Sequence, residues 1–164
     1  MGIDPGSSCT GYGIIEEINS VLKVVHWGSV KSKPRQPFPQ RLKFIYDELV
    51  MVIHEFNPDE VAIEDMFFAT NVKSALKLGQ TRGIAVLSAV NEGKPVAEYS
   101  PLEVKQSVVG YGRAEKAQVQ NMVTSILRLK EKPEPLDASD ALAVAICHIH
   151  TATSNSRIET TKGT

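Results

Sequence analysis

The sequence has few of the residues that build thiolate metal sites and disulfide frameworks. Only two cysteines occur in 164 residues, Cys9 and Cys147, and their separation matches no zinc-binding spacing. The four histidines form no recognisable metal-binding constellation along the chain. These absences argue against a zinc protein or a disulfide-stapled secreted domain and favour a reducing cytoplasmic environment.

Long apolar runs and a strong net charge are also missing. No apolar run approaches the ~20 residues that span a bilayer, and no signal-peptide pattern is visible, so we expect no membrane partner. The formal net charge of -1 excludes a uniformly basic nucleic-acid binder. Residues 71–132 nevertheless carry ten Lys or Arg against five Glu, which concentrates positive charge in that segment.

The size and patterning predict one α/β domain over residues 1–150, followed by a polar, disordered tail at 151–164. Three short apolar runs joined by tight turns predict an antiparallel meander at the start of the chain. Apolar residues at helical spacing over 40–56, then a buried run at 60–65, predict a helix followed by a parallel strand. Further helices are predicted at 73–90, 101–109, 116–127 and 137–150, with a strand at 95–100. The result is a mixed sheet with helices on its faces.

Acidic residues occupy places where this fold can bring them together. Asp4 ends the first strand, and Glu64 ends the buried run of VAIED. If those strands are parallel neighbours, their carboxyl ends share one edge of the sheet. Asp137 and Asp140 open the last helix on one helical face. Asp137 alone has an equally good interpretation as a helix N-cap.

The electrostatic cost of such clustering indicates a bound cation. Carboxylates about 5 Å apart repel by roughly 3 kcal/mol per pair at an effective dielectric constant near 20. Two divalent cations would balance four carboxylates, and oxygen ligands without Cys or His favour Mg²⁺ or Mn²⁺. A pair of ions ~4 Å apart can activate a water and stabilise the leaving oxygen at phosphorus.

Several motifs in order, GIDPG, AIED followed by Phe, SALKLGQTRG, EVKQSVVG, AEKAQVQ and DASDALAVAI, resemble the RuvC family of Holliday-junction resolvases. The resemblance implies an RNase H-like five-stranded mixed sheet with helices on both faces. It also implies a homodimer that nicks two opposed strands of a four-way DNA junction during recombination and repair, with a branch-migration motor complex as partner. The metal ligands implied by motif position are Asp4, Glu64, Asp137 and Asp140. Asp65 is left out because adjacent strand residues face opposite sides.

Other residues are candidates for contact with DNA. Phe67 could stack on a base unpaired at the crossover, for ~1 to 3 kcal/mol, although core packing is the alternative for both Phe67 and Phe68. Lys105 and Lys116 match family lysines near the scissile phosphate, where they could neutralise developing charge. Solvated surface positions are the alternative for both lysines. Assigned more loosely to the DNA backbone are Lys73, Lys77, Arg82 and Arg113.

Three rival functions use parts of the same pattern. An RNase H acting on RNA/DNA hybrids would share the metal chemistry and differ only in substrate. An actin-like or sugar-kinase ATPase has a similar first phosphate loop to GIDPGSSCTG, but such folds need two domains. A catalytically silent junction-binding protein would be expected to lose a carboxylate, whereas this sequence retains all four.

Overall fold

The computed structural model describes residues 1–33, 35–65 and 71–162, with side chains up to Thr153. The strands in these ranges are β1 (Gly2–Asp4), β2 (Cys9–Ile18), β3 (Val21–Lys31), β4 (Val61–Glu64) and β5 (Val96–Tyr99). The helices are α1 (Phe38–Phe56), α2 (Val72–Asn91), α3 (Pro101–Val109), α4 (Lys116–Ile126) and α5 (Leu136–Lys162).

The five strands form one mixed sheet in the order β3-β2-β1-β4-β5. The first three strands pair antiparallel, which confirms the predicted meander. After α1 the chain returns as β4, which pairs in parallel with both β1 and β5. The carboxyl ends of β1 and β4 therefore lie at the same edge of the sheet, as predicted.

Alternation along the central strands directs side chains to two separate cores. Ile3 and Ile63 are fully buried against α1 and α2, where Ile45 and Leu49 also pack. Ala62, which precedes Ile63 on β4, points to the opposite face and packs in the other core with residues of α3, α4 and α5. Each fully buried aliphatic side chain contributes about 1.5–3 kcal/mol, so both faces hold the sheet firmly. Helices on both faces confirm the predicted layer arrangement.

Glycines on β1 and β2 let α5 lie directly on the sheet. A Cβ atom on Gly2 would overlap the carbonyl oxygen of Ala141, and one on Gly11 would overlap the carbonyl oxygen of Asp137. Only glycine allows so close a backbone approach. The position of the first turns of α5 relative to the strand ends is thereby fixed.

Helix α3 begins with the predicted capping box. The Ser100 hydroxyl accepts a hydrogen bond from the Glu103 N–H, and the Glu103 carboxylate accepts one from the Ser100 N–H at 2.7 Å. Hydrogen bonds donated to the Glu103 carboxylate by the Ser100 hydroxyl, and then by the Ser100 N–H, hold the pKa of Glu103 below its usual range.

Helix α5 is longer than expected. We placed its end near residue 150, and this boundary is wrong because the backbone stays helical to Lys162. Residues 151–162 are polar but contain no Gly or Pro, so no helix-stopping residue occurs before Gly163. The division into a domain over 1–150 and a separate tail stays a prediction.

Candidate active site

Two of the predicted carboxylates stand side by side at one edge of the sheet. Asp4 is the last residue of β1 and Glu64 the last of β4, each directly after one of the paired isoleucines Ile3 and Ile63. Because those isoleucines face α1 and α2, alternation turns Asp4 and Glu64 to the side covered by α5.

The other two carboxylates come from the start of α5. Gly11 is the cross-strand partner of Asp4, and the backbone of Asp137 lies against Gly11. Asp140 follows one helical turn later and is half-buried. We call Asp4, Glu64, Asp137 and Asp140 the carboxylate cluster.

The side chains of the cluster influence one another electrostatically. Burial, followed by the negative charges of Glu64 and Asp140, raises the pKa of Asp4 to about 8. Burial and then Asp140 also raise the pKa of Glu64, and a hydrogen bond donated by the protonated Asp4 offsets this only in part. Burial first, and repulsion between the carboxylates second, therefore disfavour the ionised form of Asp4 and Glu64.

Two lysines supply some of that charge. The Nζ of Lys116 lies 2.7 Å from Oδ2 of Asp140, while its side chain remains 66% exposed. Burial lowers the pKa of Lys116, but the hydrogen bond to Asp140 and the negative charges of Asp140, Asp4 and Glu64 outweigh burial and raise it. Lys105, half-buried on α3, lowers the pKa of Glu64 through its charge. Both predicted lysines therefore act on the cluster.

The cluster has the donor chemistry for a hard divalent cation. Its ligands are carboxylate oxygens alone, which suit Mg²⁺ or Mn²⁺ better than softer metals. Within 1–33, 35–65 and 71–162, no three acidic, His or Cys side chains are already spaced to hold an ion. One oxygen of Asp140 is engaged by Lys116. A cation would draw the carboxylates inward and relieve the repulsion that raises the pKa of Asp4.

The residues predicted to contact DNA have diverse surroundings. Lys73 and Lys77 are exposed on α2, and Arg113 is exposed between α3 and α4. Arg82 instead pairs with carboxylates of the protein itself. Phe67 and Phe68 lie outside the described residues. DNA contact by this group stays a prediction.

Sequence reasoning missed Arg41, which anchors the turn that follows Asp4. Its Nε donates to the Ser32 hydroxyl at 2.9 Å, and its guanidinium also donates to the Ser7 carbonyl. The Ser32 hydroxyl donates to the same carbonyl at 2.9 Å. No pattern in the sequence could have revealed Arg41, because its partners are hydroxyl and backbone groups remote along the chain.

Cys9 was also missed as a neighbour of the cluster. Burial and a hydrogen bond from its thiol to Asp137 raise the pKa of Cys9. Its position at the start of β2, opposite the first turn of α5, explains this contact.

A mixed sheet in this order, with carboxylates at the ends of β1 and β4 and on the final helix, defines an RNase H-like nuclease. A family model described as crossover junction endodeoxyribonuclease RuvC matches residues 1–148. The RuvC of Alkaliphilus oremlandii is 55% identical, covering 92% of both chains. That of Clostridioides difficile is 51% identical over 92% of this chain and 89% of its own. The chain belongs to the RuvC family.

Solved structures agree with this assignment. Thermus thermophilus RuvC superposes with a TM-score of 0.85 at 36% identity, covering 94% of this chain and 95% of that one. The same protein in complex with a Holliday junction substrate gives a TM-score of 0.87 at 37% identity, covering 94% of both chains. The RNase H-like fold is thereby confirmed. No helix in the described part of the chain is long and apolar enough to cross a membrane.

Proposed function

We propose that this chain is a Holliday-junction resolvase, an endodeoxyribonuclease that makes paired nicks in two opposed strands of a four-way DNA junction. The observation that carries the proposal is the carboxylate cluster at the edge shared by β1, β4 and α5 in a chain of the RuvC family. Further support comes from the similarity to a Thermus protein that has been solved with a Holliday junction substrate.

The cluster would hold two Mg²⁺ ions, for which Mn²⁺ would substitute. When bound, such ions activate a water and stabilise the leaving oxygen of an in-line displacement at phosphorus. Strand pairing places the backbone of Asp4 and Glu64, and the seating of α5 places that of Asp137 and Asp140, so binding would require only their side chains to move inward. Lys116 and Lys105 neutralise negative charge beside the scissile phosphate.

A substrate panel tests the proposed activity. The protein is incubated with a four-way junction, a linear duplex and an RNA/DNA hybrid, each with Mg²⁺ or with a chelator. We expect symmetric nicks in the junction alone, and only with Mg²⁺. Preferential cutting of the hybrid would instead assign the chain to RNase H activity.

The outer face of α2 supports a homodimer. Val72, Leu76, Leu87 and Val90 are 74%, 64%, 46% and 55% exposed and fall on one face of the helix. Gly83 lies among them with open space around it. The opposite face is already buried against the sheet, so this apolar stripe has no partner among the described residues of the chain. A contiguous exposed apolar surface of this kind marks a protein–protein interface. A two-fold symmetric dimer formed there would present two active sites to the two opposed strands of a junction.

Light scattering tests this interface. Leu87→Glu should convert a dimer into a monomer at micromolar concentration and replace paired cuts by single nicks. Met122→Glu, a like change at another exposed apolar position, serves as the control. A monomeric wild type that still made paired cuts would refute the dimer.

Four further points belong to the same proposal. The two free cysteines favour a cytoplasmic location. A branch-migration motor complex would act as partner, and Phe67 would stack on a base unpaired at the crossover. Residues 1–150 would form the single nuclease domain.

A further inference from the structure

Two neighbouring carboxylates at the end of β4 face opposite sides of the sheet. Glu64 points into the carboxylate cluster, whereas Asp65 lies on the α2 side with an arginine. One guanidinium nitrogen of Arg82 lies 3.2 Å from Oδ1 of Asp65 and 2.5 Å from Oε2 of Glu98 on β5. A single cation thus joins the end of β4, the neighbouring strand and helix α2.

The side chain of Arg82 is largely enclosed, whereas its two carboxylate partners are about half exposed. Its side chain is only 21% exposed, and the neighbouring Thr81 and Ala85 are fully buried. Its Nε is buried and has no partner within the described residues. Two carboxylates already balance its charge. A guanidinium so engaged is poorly placed to bind a phosphate of the DNA backbone.

The bridge is adjacent to the active site. A cavity of about 110 Å³ is lined by Arg82 and Asp65 together with Asp4 and Glu64. The N–H of Asp65 also donates to the Tyr99 carbonyl at 2.7 Å, which continues the β4–β5 pairing beyond Glu64. Any movement of Asp65 would therefore move the preceding residue, Glu64.

Glu64 needs such support because it is the last residue of β4, and the pairing with β5 continues beyond it through the Asp65 N–H. An unrestrained strand end could turn the carboxylate of Glu64 away from the cluster. The partners that orient metal-binding side chains commonly change metal affinity or activity by about 10- to 100-fold when removed.

We propose that Arg82 is a positioning residue for strand cleavage. By joining Asp65 to Glu98 it fixes the end of β4, so that Glu64 stays directed into the carboxylate cluster. This role rests on the proposed nuclease function and replaces the DNA contact expected for Arg82 from the sequence.

The first test compares Arg82→Gln with wild type in three measurements. Single-turnover cleavage should fall by roughly 10-fold, and half-saturating Mg²⁺ should rise several-fold. Junction affinity, measured in a chelator, should stay within about twofold and keep its salt dependence, because no phosphate contact is lost. Weaker junction binding with a shallower salt dependence and an unchanged Mg²⁺ requirement would overturn the proposal in favour of DNA contact.

Removing the partners of Arg82 gives a second test. The double variant Asp65→Asn, Glu98→Gln should lose as much cleavage as Arg82→Gln, and combining all three changes should add little further loss. If the double variant cleaved at the wild-type rate, the bridge would have no catalytic role. Arg128→Gln, the loss of an exposed arginine on another part of the chain, is the control.

Metal binding separates this proposal from the proposed function. Calorimetry with Mn²⁺ and no DNA should show several-fold weaker binding for Arg82→Gln, and partial recovery in Arg82→Lys, whatever the natural substrate is. Equal Mn²⁺ affinity in wild type and Arg82→Gln would refute the positioning role. Failure of wild type to cut any junction, with the Mn²⁺ difference present, would refute the resolvase proposal instead. If Arg82→Gln does not fold, Arg82→Lys and the Asp65, Glu98 double variant give the same comparison.

Discussion

Glu64 and Asp65 are neighbours in sequence with the same charge, yet their surroundings are opposite. Asp65 faces α2 and pairs with Arg82, and its side chain remains 50% exposed to solvent. Glu64 faces α5, where burial and Asp140 raise its pKa. The charge of Asp65 is balanced by an arginine, whereas at Glu64 burial and the charge of Asp140 outweigh the two nearby lysines.

This contrast separates structural from functional acidic residues. A group that remains electrostatically unfavourable in the folded protein contributes little to stability by itself, so its arrangement points to a ligand. The fold imposes this arrangement of carboxylates through α5. Close backbone contact of α5 with Gly2 and Gly11 brings Asp137 and Asp140 to the strand ends.

The largest effect is expected from neutralising each of the two neighbours in turn. Glu64→Gln should lower single-turnover junction cleavage by at least ~10³-fold, because a charged metal ligand is lost at the reacting centre. Asp65→Asn should lower it only by about 10-fold, since it weakens positioning. Both variants should bind the junction as wild type does. Equal losses would remove the distinction between the two carboxylates.

Lys116 is the next most sensitive position. Lys116→Met removes the cation that contacts Asp140, and we expect a fall in cleavage of roughly 10²-fold from lost charge stabilisation. Because the charge of Lys116 lowers the pKa of Asp4 and Glu64, its loss should raise both values. Cleavage should then begin at a higher pH than in wild type. The control is Lys130→Met, which removes an exposed lysine of the same basic segment, residues 71–132, and should cleave normally. The pH–rate profile of the three proteins is the measurement.

The metal-free protein should lose stability as the pH rises. The pKa of Asp4 is about 8 when folded and 3.8 ordinarily, so the folded state binds the extra proton between these values. The free energy of unfolding should therefore fall by up to about 1.4 kcal/mol per pH unit in that window. Asp4→Asn should flatten this dependence in thermal melts.

Added Mg²⁺ should reverse that trend, because its carboxylate ligands must be deprotonated. The rise in Tm on adding Mg²⁺ should be larger at about pH 8 than at about pH 6, and Asp4→Asn should abolish the difference. A Mg²⁺ effect independent of pH would indicate binding away from the cluster.

The smallest effects concern stability without metal. Glu64→Gln should raise the free energy of unfolding by about 1 kcal/mol, because it removes a repelled charge. Asp65→Asn should lower it by about 0.5–1 kcal/mol, because it breaks a partly exposed ion pair. Urea unfolding of the two variants in a chelator measures both changes. If both substitutions changed the free energy of unfolding in the same direction, the contrast drawn between Glu64 and Asp65 would be wrong.

Much of this arrangement could be predicted from sequence because it depends on local patterns. Alternation in VAIED placed Glu64 and Asp65 on opposite faces, and the Ser100 capping box set the start of α3. The acidic positions at strand ends were recognisable once the strands were expected to be parallel neighbours.

The remaining features depend on long-range contacts that no local pattern encodes. In the sequence Arg41 looks like an ordinary surface cation and Arg82 like a candidate DNA contact. Only the fold brings them to Ser7 and to Asp65. Nothing local marks the glycines of β1 and β2 as the residues that admit the backbone of α5. The predicted end of α5 near residue 150 is wrong because a polar composition does not by itself stop a helix.

Anomalous diffraction from crystals soaked with Mn²⁺ tests most directly whether the carboxylate cluster exists to bind metal. We predict manganese peaks bounded by Asp4, Glu64, Asp137 and Asp140, with the contact between Lys116 and Asp140 loosened. Manganese bound only elsewhere, with the cluster unchanged at saturating Mn²⁺, would contradict the account.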